Sequence, residues 1–295
     1  MSKSGLWQVA ILIGGCLLTP LNTWAQAGVA TDYAGNQLYY VNAGGISEMG
    51  SVAPGVNPEN LIFVLDQLIY YTLYGSGQVG VFNPYNRSNI IQVNGLDHPE
   101  ALVLEPGCAT ILVTVQGLTT NQPSLARITI PQGSVTFVPL SFTPAGLAYD
   151  SNGDLFVADS ANDTVHQVDP NAGTILNSLP SPLVSPNNQP DTPNEMIYDR
   201  FTRQLFITSS VYGGIYEIPT NLSGYTFMAS VPAPAYGIIS NGSGELFAAS
   251  SNTYIYEYNI EQEKLTQLLS VPGLNGLAQV PGIGCAISLV SCKDK

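Results

Sequence analysis

A chain of 295 residues that is 45% hydrophobic and only 10% charged can bury a large core, which excludes a disordered polymer and fits one sizeable globular domain. Eight Lys and Arg against 21 Asp and Glu give a formal charge of -13, which repels nucleic acid and anionic membrane surfaces. Cations and neutral molecules are the ligands this charge favours.

Residues 1–25 read as a signal peptide. MSKSG carries one Lys, WQVAILIGGCLL is apolar but too short to span a bilayer, and LNTWAQA offers small residues for cleavage after Ala25 or Ala27. Export to the periplasm or the exterior is expected, with no stable membrane span. Ile13-Gly14-Gly15-Cys16 also resembles a bacterial lipobox, the minor alternative in which Cys16 is acylated. The apolar LLTPLNTW that follows is unlike a polar tether and leaves Cys16 in the leader. Residues 26–295 then form a single domain.

From residue 29 the chain splits into short period-two runs bounded by turn residues, beginning with VATDYAGNQLYYVNAGGISEMG. NLIFVLDQLIYYTLYGSGQVGVFNPYNRSNIIQV follows from 60 and EALVLEPGCATILVTVQ from 100. Residues 146–175, GLAYDSNGDLFVADSANDTVHQVDPNAGTI, hold four strands. Their first turn, at Asn152-Gly153, is expected to be type I′. EMIYDRFTRQLFITSSVYGGIYEIP from 195 and YGIISNGSGELFAASSNTYIYEYN from 236 repeat the sentence, and NGLAQVPGIGCAISLV from 275 stops after two strands. First strands near 61, 102, 147, 196, 238 and 277 give the period of a propeller blade. The fold expected is an all-β, six-bladed β-propeller whose N-terminal strands pair with the C-terminal partial blade and close the ring. A seven-bladed ring, with residues 29–60 as their own blade, is the alternative.

Cys108, Cys285 and Cys292 remain after the leader, an odd number that makes no disulfide framework. CAISLVSC reads as a strand whose ends stand roughly 23 Å apart, too far for Cys285 to reach Cys292 unless a turn intervenes. Sequons at Asn86, Asn162, Asn221 and Asn241 are about as many as chance supplies in a chain this rich in Asn, Ser and Thr. His166 alternates outward in TVHQVD and is expected on a solvated face. The insert SPLVSPNNQPDTP from 181 is expected to be a surface loop able to meet a partner.

LFVADSANDTVHQVDPNAGTI resembles an NHL repeat. The strand openings TPAGLAYD, TPNEMIYD and LNGLAQVP resemble those of the senescence-marker-protein-30/gluconolactonase family of six-bladed propellers. The likeness covers one blade well and the others in spacing more than in residues.

In such a ring the residue just before each first strand sits at one mouth of the central channel. That position reads Glu59, Glu100, Ala145, Asn194, Tyr236 and Asn275. Glu59, Glu100, Asn194 and Asn275 form an oxygen-rich set suited to a hard divalent cation, with Ca²⁺ first. His98, beside Pro99-Glu100, is a further pocket residue and proton carrier, and Tyr236 lines the same pocket. The family resemblance implies a divalent cation held near the mouth by Glu, Asn and Asp, with an Asp serving lactone hydrolysis. By likeness Glu59 matches the family Glu, and Asn194 and Asn275 its Asn residues. PAG or AYG stands where the family has P-D-G, so Glu100 would have to replace the missing Asp, with Glu100 or Glu59 as base.

No G-x-S-x-G, phosphate loop, H-E-x-x-H or C-x-x-C occurs. The expectation is a secreted, monomeric propeller binding a divalent cation and a small neutral or cationic molecule, with lactone or ester hydrolysis as the enzymatic form. A non-catalytic binding or scaffold propeller with a protein or glycan partner is the alternative. A strictosidine-synthase-like biosynthetic enzyme is a second.

Overall fold

The computed structural model describes residues 28–279, apart from 43–44, 53–56, 64–67, 120–121, 252 and 272. The leader, Cys16, Cys285 and Cys292 lie outside the described residues. Blade 1 joins β24 (Leu274–Gln279) to β1 (Gly28–Asp32), β2 (Gln37–Asn42) and β3 (Gly45–Ser51). Blade 2 is β4 (Pro58–Phe63), β5 (Ile69–Leu73), β6 (Gln78–Asn83) and β7 (Ser88–Asn94). Blade 3 is β8 (Pro99–Leu104), β9 (Thr110–Val115), β10 (Ser124–Thr129) and β11 (Val135–Pro139). Blade 4 is β12 (Pro144–Tyr149), β13 (Leu155–Asp159), β14 (Thr164–Val168) and β15 (Ile175–Ser178). Blade 5 is β16 (Pro193–Asp199), β17 (Gln204–Ser209), β18 (Gly214–Pro219) and β19 (Thr226–Ser230). Blade 6 is β20 (Ala235–Ser240), β21 (Glu245–Ser250), β22 (Tyr254–Asn259) and β23 (Lys264–Ser270).

Every sheet is antiparallel, and neighbouring first strands touch in the order β4, β8, β12, β16, β20, β24 and back to β4. The ring therefore has six blades, and residues 29–60 do not form a seventh: β1 to β3 complete the blade begun by β24, through pairs such as Ala30 with Leu277. Each blade packs both faces against its neighbours. Second strands are consequently buried throughout, as in IYYTL, LFVAD and ELFAAS, while outer strands such as β7 and β15 are exposed. The apolar clusters lie between blades, with Phe82, Phe156, Phe206 and Tyr216 fully buried in them.

Two local expectations change, and the state of Cys108 is resolved. At 150–154 only Gly153 (φ 87°) is left-handed, so the turn is not type I′; the Asp150 carboxylate accepts the backbone N–H of Asn152 (2.8 Å) and Asp154 (2.9 Å) and shapes it instead. His166 is buried: its Nδ1 meets Ser178 Oγ at 2.7 Å, its Nε2 meets Asp159 at 3.3 Å, and its ring lies against Phe142. Alternation misleads here because a blade has no solvated face. Cys108 is disulfide-bonded, and its partner lies outside the described residues.

The insert at 181–192 is built into blades 4 and 5. Leu183 is fully buried, Val184 bridges Pro190, and buried Asp191 accepts the Tyr216 hydroxyl at 2.6 Å and the Tyr212 N–H at 2.8 Å. Its exposed residues are Ser181, Pro182 and the stretch Pro186 to Pro190.

Candidate functional site

The register aligns six openings at one end of the channel: Pro58-Glu59-Asn60, Pro99-Glu100-Ala101, Pro144-Ala145-Gly146, Pro193-Asn194-Glu195, Ala235-Tyr236-Gly237 and Leu274-Asn275-Gly276. Five of these first strands shift register immediately after the opening residue, and the sixth pairs with a shift in β1. A bulge re-aims side chains at the edge of a sheet, so these residues escape strict alternation.

A threonine on the second strand secures several bulges. Thr72 accepts the Asn60 N–H at 3.0 Å and donates to the Glu100 carbonyl of the next blade at 2.7 Å. Thr31 accepts the Gly276 N–H at 2.6 Å and donates to the Glu59 carbonyl at 3.1 Å. Thr208 donates to the Tyr236 carbonyl at 3.0 Å. Each hydroxyl thus locks one blade's bulge to the mouth residue of the next. The third opening position is small in four blades because the neighbouring strand passes there: a Cβ on Gly276 would lie 2.4 Å from the Glu59 carbonyl, and one on Gly146 2.3 Å from the Asn194 carbonyl.

Above this collar lies a cavity of about 420 Å³ lined by Glu59, Glu100, Tyr33, Tyr74, Tyr236 and Asn275, with Gln116 and Ser251 at its side. The second-to-third-strand loops supply Tyr33, Tyr74 and Gln116. Glu100 accepts the Gln116 carboxamide at 2.9 Å, and Gln116 in turn accepts the Tyr74 hydroxyl at 3.0 Å. Asn275 donates its side-chain N–H to Glu59, and among the described residues its own buried Oδ1 has no partner. Among the described residues no Lys or Arg lines the cavity.

One residue deeper, Asn60 donates to Glu195. Their strands, β4 and β16, stand opposite one another in the ring, so this bond crosses the channel axis beneath the cup. Burial raises the Glu59 carboxyl to about 7, against an opposing hydrogen bond from Asn275. It raises Glu195 to about 8 and pushes Glu100 well above the ordinary range, the latter reinforced by Glu59 and Glu195. Burial, then Glu100 and Glu59, raise Tyr74 to about 12.

The structure brings Glu59, Glu100, Tyr236 and Asn275 of the expected set to one cavity. Asn194 instead donates to the Ala235 carbonyl at 3.3 Å. His98 stands behind the wall: its Nδ1 meets Asp97 at 2.6 Å, its ring packs edge-on against Tyr74, and its φ is 58°. Glu195, Asn60, Gln116, Tyr33 and Tyr74 were not foreseen. The threonines carry a legible signal, since Thr31, Thr72, Thr114 and Thr208 recur at one position of the second strands.

This geometry is that of a six-bladed β-propeller with an acidic, tyrosine-walled channel mouth, and the NHL repeat family model matches residues 143–167. None of the curated proteins compared matches the chain. Among solved structures the chain is similar to a crystal structure of a nidogen/laminin complex (TM-score 0.72, 13% identity, 87% of this chain and 98% of that chain covered). It is similar as well to virginiamycin B lyase from Staphylococcus aureus (0.62, 14%, 85% and 88%) and to a protein of unknown function from Bacteroides caccae (0.66, 13%, 87% and 99%). At these identities the likeness is one of fold.

Proposed function

We propose that this protein is a binding propeller that holds a small, positively charged ligand at its channel mouth. The observation that carries the reading is the pairing of Glu59 and Glu100 in one cavity with no basic residue among its described lining. Two carboxylates in one cup repel each other and lose hydration, so each resists ionisation until a cation compensates them. The chain's charge of -13 draws cations toward the mouth. Export rests on the leader-like residues 1–25 and belongs to the same proposal.

A hard divalent cation, Ca²⁺ first, fits the donors in kind, since Glu59, Glu100 and Asn275 offer only oxygen. The protein's share of the shell would be small: among the described residues no group of three or more His, Cys, Asp and Glu is arranged to hold a metal. Water or a bound molecule would complete it. Such a cation would supply Lewis-acid polarisation of a carbonyl. Glu59 and Glu100, with carboxyls raised toward neutrality, would take and return a proton, which is the lactone- or ester-hydrolase form of the proposal.

A second reading, a partner-binding face for a protein or glycan, is favoured by exposed Leu118, Val211 and Tyr212 on the loops at the same end as the cup. The nidogen/laminin structure shows that this fold can serve in a protein complex.

Calorimetry with Ca²⁺, Mn²⁺ and Zn²⁺ on chelator-treated protein separates these. Saturable binding that weakens tenfold or more in Glu59→Gln/Glu100→Gln is expected for the metal form. Equal binding by the variant removes the mouth from consideration for metals.

A further inference from the structure

We infer that the cation recognised at this mouth is an organic ammonium ion that carries both N–H donors and an apolar group. The inference rests on the cation-binding reading of the same cavity and names its ligand class. Three features of the cup point the same way.

The first is its unanswered acceptor. Asn275 is buried, with 3% of its surface exposed, and spends its N–H on Glu59 while its Oδ1 has no partner among the described residues. A buried polar atom left unpaired is costly, and an acceptor can be satisfied only by a donor. The carboxylates beside it, Glu59 and Glu100, are acceptors too when ionised. A protonated amine brings several N–H donors on one positive atom, so a single group can reach the orphaned oxygen and a carboxylate together.

The second is the wall. Tyr33, Tyr74 and Tyr236 line the cavity, and all three interact electrostatically with Glu59 and Glu100, which places the rings around the carboxylates. Aromatic faces attract cations, and organic ammonium groups are recognised in this way. Tyr74 is fixed by Gln116 and by the edge of His98, so its ring stands ready rather than collapsing into the cup. A hard metal ion is satisfied by oxygen ligands and does not need such walls.

The third is size. About 420 Å³ is in the range of pockets that enclose an organic molecule and far exceeds the room a bare ion needs. The Asn60 to Glu195 bond across the axis gives the cup a polar floor, so a ligand enters and leaves by the mouth.

The test is calorimetry on full-length protein at pH 8 with 2-phenylethylammonium, its quaternary N,N,N-trimethyl analogue and neutral 2-phenylethanol, each also titrated into Glu100→Gln and Tyr236→Ala. The expected result is saturable binding of the primary ammonium, at least tenfold weaker for the alcohol and for the quaternary ion. Each variant should bind the primary ammonium at least tenfold more weakly. Having two variants guards against one failing to fold, which circular dichroism would reveal. Equal binding of amine and alcohol, or affinity unchanged in both variants, overturns the inference. If Ca²⁺ binds and the primary ammonium neither binds nor competes, the ammonium is wrong while the cation-binding reading stands; if no cation binds, both fall.

Discussion

At the scale of single residues, the mouth carboxyls couple folding to pH. An unfolded glutamate titrates near 4.5, whereas Glu59 does so near 7 and Glu195 near 8 in the folded ring. Between those values the folded chain keeps protons that the unfolded chain has released. The stability these groups contribute is therefore complete below about pH 4.5 and is lost as pH rises toward 8. Urea denaturation should give a midpoint that falls from pH 5 to pH 8, with a shallower fall in Glu195→Gln; a midpoint that does not fall over that interval would show that these carboxyls titrate near the ordinary value. Glu59 and Glu100 were legible in the sequence because each directly follows the proline that opens a first strand. Glu195 was not, since a bulge allows the residue after the expected one to reach the axis, and bulges have no sequence signature comparable to the period-two runs around them.

At the scale of strands, rigidity comes from hydroxyls. Thr72→Val keeps shape and β propensity but strips partners from the Asn60 N–H and the Glu100 carbonyl. A loss of about 1–3 kcal/mol is expected by chemical denaturation, together with altered ligand binding because Glu100 is no longer held. The insert between β15 and β16 behaves as an element rather than a tether. Leu183→Ala should cost about 2–5 kcal/mol through the cavity it leaves. Serine at Asn187 and Gln189 together should stay near neutral in thermal melts, since these side chains project from the tip, whereas Asn188 holds a φ of 57° that suits Asn. Strand positions were readable from alternation and turn residues, and blade 4 from its NHL-like wording. The burial of His166 was not: the alternation rule presumes one wet face, and a blade wedged between two others has none.

At the scale of the ring, closure depends on a single seam. β24 contributes the innermost strand of the blade that β1 to β3 complete, so residues 28–32 bond to residues 274–279. Six first strands spaced by a blade's period made the ring legible, and the incomplete final copy predicted the seam. A chain ending at residue 273 should lose cooperative thermal unfolding and enlarge in gel filtration; retention of a sharp transition at the native size would mean that five complete blades hold without it.

That seam also sets a clock on synthesis. During translation the strand at residues 28–32 leaves the ribosome long before its partner at 274–279 exists. Its open hydrogen-bonding edge must stay out of trouble for nearly the whole of that interval. Interrupted translation would release molecules with two sticky borders, whereas a polypeptide read through residue 279 can hide both at once.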